Sequence, residues 1–315
     1  MQHHKPKVGH NAIEWKQARP EDAAIWVSIS RRSADQISFE SEEAQLARYK
    51  EEHPGKAAQR YLLWRDEAPI GRLRFFVQGS TAILDGLVLL PEAGGGVAVQ
   101  VVAEATVRAA ALGSRHLQAT YPATYIASFA AAGFQELRRR TGMTASTDIG
   151  QPHLPPPASL RVREMQADDG DQVGTLLQRA YTGGPDHILL DLADWRAEVR
   201  AIQEGQYGPF IPEACLIVEH SLDHYHLAGA ILVHLERGFP RIRHMAVAPA
   251  FRHVGLGQTL AIKTMRRLHE LGYPTALLYV TLGTPAVNLY HRLGFVEAGP
   301  TYIEAERMLT RETGK

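Results

Sequence analysis

Cysteine is nearly absent from this chain, with one residue, Cys215, in 315. An internal disulfide framework is thereby excluded, and the usage fits a reducing compartment. Cys215 lies in the apolar run ACLIVEH. It reads as a small buried hydrophobe, because thiolate chemistry needs an exposed electropositive niche. Net charge is absent too, with 34 Lys and Arg against 34 Asp and Glu. No overall field draws the chain to nucleic acid or to an anionic membrane. No apolar run approaches the ~20 residues that span a bilayer. The opening MQHHKPKVGHN lacks the apolar core of a signal peptide or anchor. The expectation is a cytoplasmic protein with neither a membrane nor a nucleic-acid partner. His3 and His4 have no further ligands at useful spacing, so no metal is expected. The triplet Arg138-Arg139-Arg140 reads as a solvated face.

What is present is one plan used twice. The stretch GQPHLPPPA at 150–158 marks a boundary, since consecutive prolines neither donate to a sheet nor continue a helix. On either side the sequence gives the same order, β-α-α-β-β-β-α-β-α-β. Each half opens with a strand and a helix whose start carries aspartate: Asp22 in one, Asp168 and Asp169 in the other. A second helix follows near 40–52 or 190–204, then a hairpin, a further strand, and a long helix closed by Gly113 or Gly272. The signatures AAGF and RLGF, at Gly133 and Gly294, lie 161 residues apart. The fold class is α/β (α+β), two tandem domains, each a mixed, mainly antiparallel sheet flanked by helices. The expected boundaries are 11–149 and 159–315, joined by the linker 150–158.

The second half contains the strand RIRHMAVAP, then AFRHVGLGQTLA, then a helix. Alternation directs Ile242, His244 and Ala246 to one face of the strand, and Met245 and Val247 to the other. Ala261, Met265 and Leu268 give the helix one packed side. A helix start carries unpartnered N–H groups and partial positive charge, which suit an anion. Glycines let backbone approach phosphate oxygens, and Arg252 can add a charged contact. Gly257 is followed by Gln258 and Thr259, not by the Lys-Ser/Thr of a Walker A loop. The next strand, TALLYV, lacks the acid of a dinucleotide fingerprint.

MAVAPAFRHVGLG resembles motif A of the GNAT superfamily of acetyl-CoA-dependent N-acetyltransferases, and PAVNLYHRLGF resembles that family's short helix with its Tyr-x-x-Leu-Gly-Phe ending. The resemblance implies acetyl transfer from acetyl-CoA to an amine of a small-molecule or peptide acceptor, by a monomer or homodimer. It implies that backbone groups of Met245 and Val247 hold the pantetheine arm as an added strand. Arg252, His253, Val254, Gly255, Leu256, Gly257 and Gln258 would hold the pyrophosphate. Tyr290 matches the tyrosine that protonates the leaving thiolate, with a core aromatic as the alternative. His244, beside the expected thioester, is the candidate base, with a structural histidine or a water relay to a carboxylate equally open. The asparagine that often starts the last short helix is here Gly283; Asn288, on the helix itself, is the remaining candidate contact.

The first half serves as a control. Aligned on Pro91 and Pro249, Gly94, Val97 and Val99 stand where Arg252, Gly255 and Gly257 do, or a small gap aligns Gly94 and Gly96 instead. Phe129 replaces Tyr290, and Ala127 replaces Asn288. The first half therefore reads as a degenerate copy. A non-catalytic acyl-CoA-binding or sensing protein is the alternative to an enzyme.

Overall fold

The computed structural model describes residues 12–33, 40–51, 59–150, 159–184, 186, 191–220 and 223–309. The His3–His4 pair and 151–158 of the proline-rich boundary lie outside the described residues. No helix among the described residues is long and apolar enough to cross a membrane.

The first half runs β1 (Glu14–Gln17), α1 (Ala23–Arg32), α2 (Glu42–Glu51), β2 (Arg60–Arg65), β3 (Ala68–Gln78), β4 (Thr81–Leu89), α3 (Val97–Ala111), β5 (His116–Pro122), α4 (Ile126–Ala131) and β6 (Gln135–Ser146). The second repeats the order with β7 (Leu160–Glu164), α5 (Gly170–Tyr181), α6 (Leu192–Gln203), β8 (Leu216–His220), β9 (Asp223–Glu236), β10 (Phe239–Val247), α7 (Leu256–Glu270), β11 (Thr275–Thr281), α8 (Pro285–Arg292) and β12 (Val296–Met308). The plan read twice from the sequence is the plan observed.

The compact units do not follow chain order throughout. The described residues of 1–140 and 299–315 form one unit, and 141–298 form the other. In the first unit the strands run β1-β2-β3-β4-β5, and the end of β12 pairs antiparallel with β5 from Tyr302↔Pro122 to Met308↔His116. In the second, the order is β7-β8-β9-β10-β11, followed by the end of β6, where Thr144 donates to the Ala276 carbonyl at 3.1 Å. The sequence boundaries 11–149 and 159–315 thus differ from the compact units at the last strand of each half. Alternation and turn chemistry give a strand's existence, not the sheet whose open edge it fills.

Each unit has its own core. In the second, α5 and α6 bury Leu176, Leu177, Trp195, Val199 and Ile202, while α7 buries Leu260, Ala261, Met265 and Leu268, as its spacing predicted. Cys215 is fully buried here, and burial pushes its thiol up to about 12, as its apolar setting implied. In the first unit, Phe75, Leu84, Val101, Leu117, Tyr121 and Phe129 belong to one cluster with Ile303 and Ala305 of β12.

Candidate active site

The site begins where two parallel strands stop pairing. In the second unit β10 and β11 are in register at Arg241↔Leu277 and Ile242↔Leu278, yet β10 continues to Val247 and β11 to Thr281. At that point β10 carries a bulge between Ile242 and His244 in its pairing with β9. Beyond the bulge the antiparallel ladder resumes with Met245↔Ile231 and Val247↔Gly229. The Met245 carbonyl accepts from the Tyr181 hydroxyl at 3.4 Å, and that of Val247 from Arg252 Nε at 3.4 Å. Alternate residues of an antiparallel strand direct both backbone polar groups to one side, so Met245 and Val247 present theirs away from β9, to the open edge.

A cavity of about 680 Å³ lies along this open edge of β10. Met245, Ala246 and Val247 line it from β10, Arg252, His253, Gly255, Leu256, Gly257 and Gln258 from the loop and the start of α7, and Thr284, Pro285, Ala286 and Leu289 from α8. Tyr181 and Asp186 contribute from the end of α5 and the segment after it. The proposed cofactor residues are therefore brought together, with two differences. Val254 is 51% exposed and stands apart from the lining residues. Asn288 is exposed on α8, where the lining residue is its neighbour Leu289.

The two loop glycines have different work. Gly255 is the N-cap of α7 at φ +82°, a left-handed conformation that side chains resist. Gly257 is inside the helix with no such need. A β-carbon built there meets Leu289 Cδ2 at 3.5 Å and Met245 Cε at 3.8 Å, ordinary contact distances. Neither turn nor packing requires glycine at 257; what its missing side chain leaves open is the cavity. No side chain caps the first turn of α7 among the described residues, so its N–H groups face the cavity end unpartnered by a cap. Arg252 behaves differently from the expectation of a free phosphate ligand. Its Nη2 donates to the Ala180 carbonyl at 2.6 Å, tying the loop to the end of α5. His253 holds φ +66°, a conformation uncommon outside glycine and concentrated at functional sites.

Tyr290 and His244 are placed beside the cavity rather than in its lining. The Tyr290 ring is 7% exposed and packs edge-on to Phe295 with centroids 5.6 Å apart. Burial, and then the Asp186 carboxylate, push its phenol well above the usual range. The bulge breaks the simple alternation between Ile242 and His244, whereas His244 and Ala246 stay two residues apart on an unbroken ladder. The bulge brings neighbouring Arg243 and His244 to the same carboxylate, with Arg243 Nε donating to Glu198 Oε1 at 2.6 Å and His244 Nε2 lying 3.2 Å from that oxygen. Its ring also lies 6.0 Å from Tyr181 and 5.8 Å from Trp195, centroid to centroid. Burial lowers the His244 pKa, against the upward pull of Glu198. Glu198 had no motif to announce it, because its partners lie on a strand far along the chain.

The first unit retains the strand geometry but buries the side chains at the corresponding positions. There β4 pairs parallel with β5 from Thr81↔His116 to Leu84↔Ala119, and its pairing with β3 shifts where Gly86 adopts φ +62°. Leu87 and Leu89, at the places of Met245 and Val247, are 1% and 6% exposed and belong to the core. Both Pro91 and Pro249 start a short 3-10 turn, but α3 begins at Val97 and α7 at Leu256, so the first loop is one residue shorter. That corrects both the ungapped alignment and the one placing Gly94 and Gly96 at the two glycines: Gly96 is the N-cap matching Gly255, and Ala98, buried, stands where Gly257 does. At the place of Tyr290, Phe129 is stacked on Tyr121 with centroids 3.6 Å apart.

Gly257→Val is expected to leave folding intact and to raise the Kd for CoA about tenfold or more, roughly 1.4 kcal/mol, since its methyls enter the cavity. Calorimetric titration of both proteins checks this, and an unchanged Kd would remove Gly257 from the site.

Residues 177–295 match the model of the acetyltransferase (GNAT) family. A mycothiol acetyltransferase of Streptomyces avermitilis is 30% identical over 168 residues, 51% of this chain and 50% of that protein. One from Pseudarthrobacter chlorophenolicus is 28% identical over 180 residues, 54% of this chain and 52% of that protein. The chain thus spans about half the length of these relatives. Among solved structures, a GCN5-related N-acetyltransferase from Sphaerobacter thermophilus superposes with a TM-score of 0.73 at 16% identity, covering 94% of this chain and 96% of that one. A tandem GNAT protein from the clavulanic acid biosynthesis pathway gives 0.68 at 14% identity, covering 95% and 99%. Residues 177–295 thus carry the match to the acetyltransferase (GNAT) family, and the chain has the fold of a tandem GNAT protein.

Proposed function

We propose that the second unit transfers an acetyl group from acetyl-CoA to the amine of an acceptor, while the first unit is a degenerate copy that supports it. The observation that carries this reading is the cavity along the open edge of β10, with the uncapped start of α7 and the bare Gly257 in its wall. These residues fit a pantetheine and pyrophosphate: Met245 and Val247 offer backbone groups to an extended arm, and the α7 N–H groups suit phosphate oxygens. Bound acetyl-CoA supplies a thioester, an acyl group on a good leaving group.

The protein's own residues then have three tasks. Apolar walls from Met245, Val247, Ala286 and Leu289 exclude water from the acyl end. His244, neutral because burial lowers its pKa, is available to take a proton from the acceptor amine. Tyr290 keeps its phenol proton at neutral pH, as a donor to a departing sulfur must.

A spectrophotometric thiol-release screen with acetyl-CoA against amino acids, aminosugars, polyamines and peptides tests the proposal. Thiol release that depends on one acceptor class supports it. Measurable CoA binding with no release for any amine would instead make the protein an acyl-CoA sensor. Longer acyl-CoA donors in the same screen show whether acetyl is the preferred group.

A further inference from the structure

Glu198 on α6 is only partly exposed, with a side-chain exposure of 15%, and both of its oxygens are engaged. Oε1 accepts from Arg243 Nε at 2.6 Å and faces His244 Nε2 at 3.2 Å, while Oε2 accepts from the Tyr207 hydroxyl at 2.6 Å. The Arg243 guanidinium also lies 3.5 Å from the Tyr207 ring centroid, which holds the cluster together from the 205–210 segment. A carboxylate already balanced by an arginine is a poor anchor for an acceptor ammonium. Its distinctive partner is the imidazole.

An ionised carboxylate only accepts hydrogen bonds, so the imidazole nitrogen facing it carries the proton. That leaves Nδ1 as the basic atom of neutral His244. The bulge is what makes the arrangement available, because an unbroken strand would send Arg243 and His244 to opposite faces. Tyr181, whose ring is 6.0 Å from His244, itself lines the cavity, so one aromatic side chain separates the dyad from the open space.

We propose that Glu198 is the positioning residue of the base: it holds His244 with Nε2–H toward its own carboxylate and Nδ1 as the proton-accepting atom. The role of His244 as base rests on the acetyl-transfer reading, whereas the tautomer and its cause do not. In the proposed step the acceptor's ammonium gives up a proton that a relay past Tyr181 carries to Nδ1, the amine nitrogen keeps the electron pair, and His244 becomes an imidazolium beside Glu198. The carboxylate stays ionised and stabilises that cation. Around His244 the charged and titratable groups are Glu198 on α6, Arg241 and Arg243 on β10, and Tyr181 on α5, with Tyr207 reaching it through Glu198. Burial opposes ionisation of Glu198, but the hydrogen bond from His244 and the charge of Arg243 hold it well below the usual carboxylate range. Burial and the two arginines lower the His244 pKa, and Glu198 is the group that raises it.

Two measurements on the full chain test the proposal. Nitrogen-15 NMR of the imidazole rings, with His244→Gln identifying the signal, should show wild-type His244 as the Nε2–H tautomer. In Glu198→Gln its titration midpoint should fall by about one pH unit, because the one group raising it is neutralised. A wild-type Nδ1–H tautomer, or a midpoint unmoved in Glu198→Gln, overturns the proposal whatever the protein catalyses. The second measurement is kinetic. Glu198→Gln should lower kcat about tenfold and move the acid limb of kcat/KM to lower pH, with the Kd for CoA unchanged. A lower kcat with an unmoved acid limb would mean that Glu198 is merely structural. If wild-type protein transfers acetyl to no amine while the tautomer is as stated, the acetyl-transfer reading fails and the dyad stands.

Discussion

Replacing Tyr290 by phenylalanine is expected to lower kcat for acetyl transfer by about 100- to 1,000-fold, the range for loss of one positioned donor to developing charge. The fold should survive, because the ring stays in the core against Phe295 and only the hydroxyl is lost. Cofactor affinity should survive as well, since Tyr290 is not among the cavity-lining residues. The argument for so large an effect is electrostatic. Burial, followed by the Asp186 carboxylate, raises the phenol pKa, so the proton is retained until a stronger base appears nearby. A departing thiolate, with a thiol pKa of ~8.5, is a weaker base than this phenolate. The phenol therefore keeps its proton and acts by donating a hydrogen bond to the charge that develops on sulfur. Asp186 is itself held by a hydrogen bond from the Thr281 hydroxyl, which places the charge at the end of β11. The measurement is kcat and KM for wild type and variant, with CoA affinity by calorimetry and melting temperature as controls. A kcat within twofold of wild type would return Tyr290 to the core, in the same standing as Phe129.

Much of this was legible in the chain because it rests on local chemistry. The doubled element order follows from periodicity and from helix-ending glycines such as Gly113 and Gly272, both at positive φ. The loop at 252–258 was legible because a helix start after a strand has fixed needs. What could not be read was whatever depends on a partner distant in sequence. Simple alternation could not show the break between Ile242 and His244, since a bulge changes facing without changing composition. Glu198 carries no motif; only folding brings α6 against β10. The one-residue shortening of the first loop matches neither the ungapped alignment nor the one that places Gly94 and Gly96 at the two glycines; only the helix starts at Val97 and Leu256 fix it. That correction sharpens the control. The first unit keeps an N-cap glycine, although at φ −84° Gly96 has an ordinary helical conformation that requires none, and it loses the second glycine, which no turn requires.

His234 should make the protein acid-sensitive well above the range in which carboxylates titrate. It lies on β9 at 0% exposure, and burial followed by the charges of Arg241 and Arg243 lowers its pKa to about 4. Its Nδ1 is 3.2 Å from the Leu235 carbonyl, a contact that favours the protonated ring, as does Glu236; its Nε2 has no hydrogen-bond partner among the described residues. The remaining titratable neighbour is Tyr207, whose ring centroid is 6.1 Å away. In the unfolded chain the imidazole titrates near its ordinary 6.5, and in the folded chain near 4. The unfolded state therefore binds the extra proton across that window, and stability falls as pH drops through it. The loss is about 2 kcal/mol between roughly pH 7.5 and pH 5, approaching ~3 kcal/mol below the folded value. His234→Leu removes the group that must stay neutral, so urea midpoints of the variant should fall less over the same interval. Because other groups also titrate, the informative quantity is the difference between the two proteins' pH slopes, and identical slopes would show that His234 is not the acid-sensitive residue.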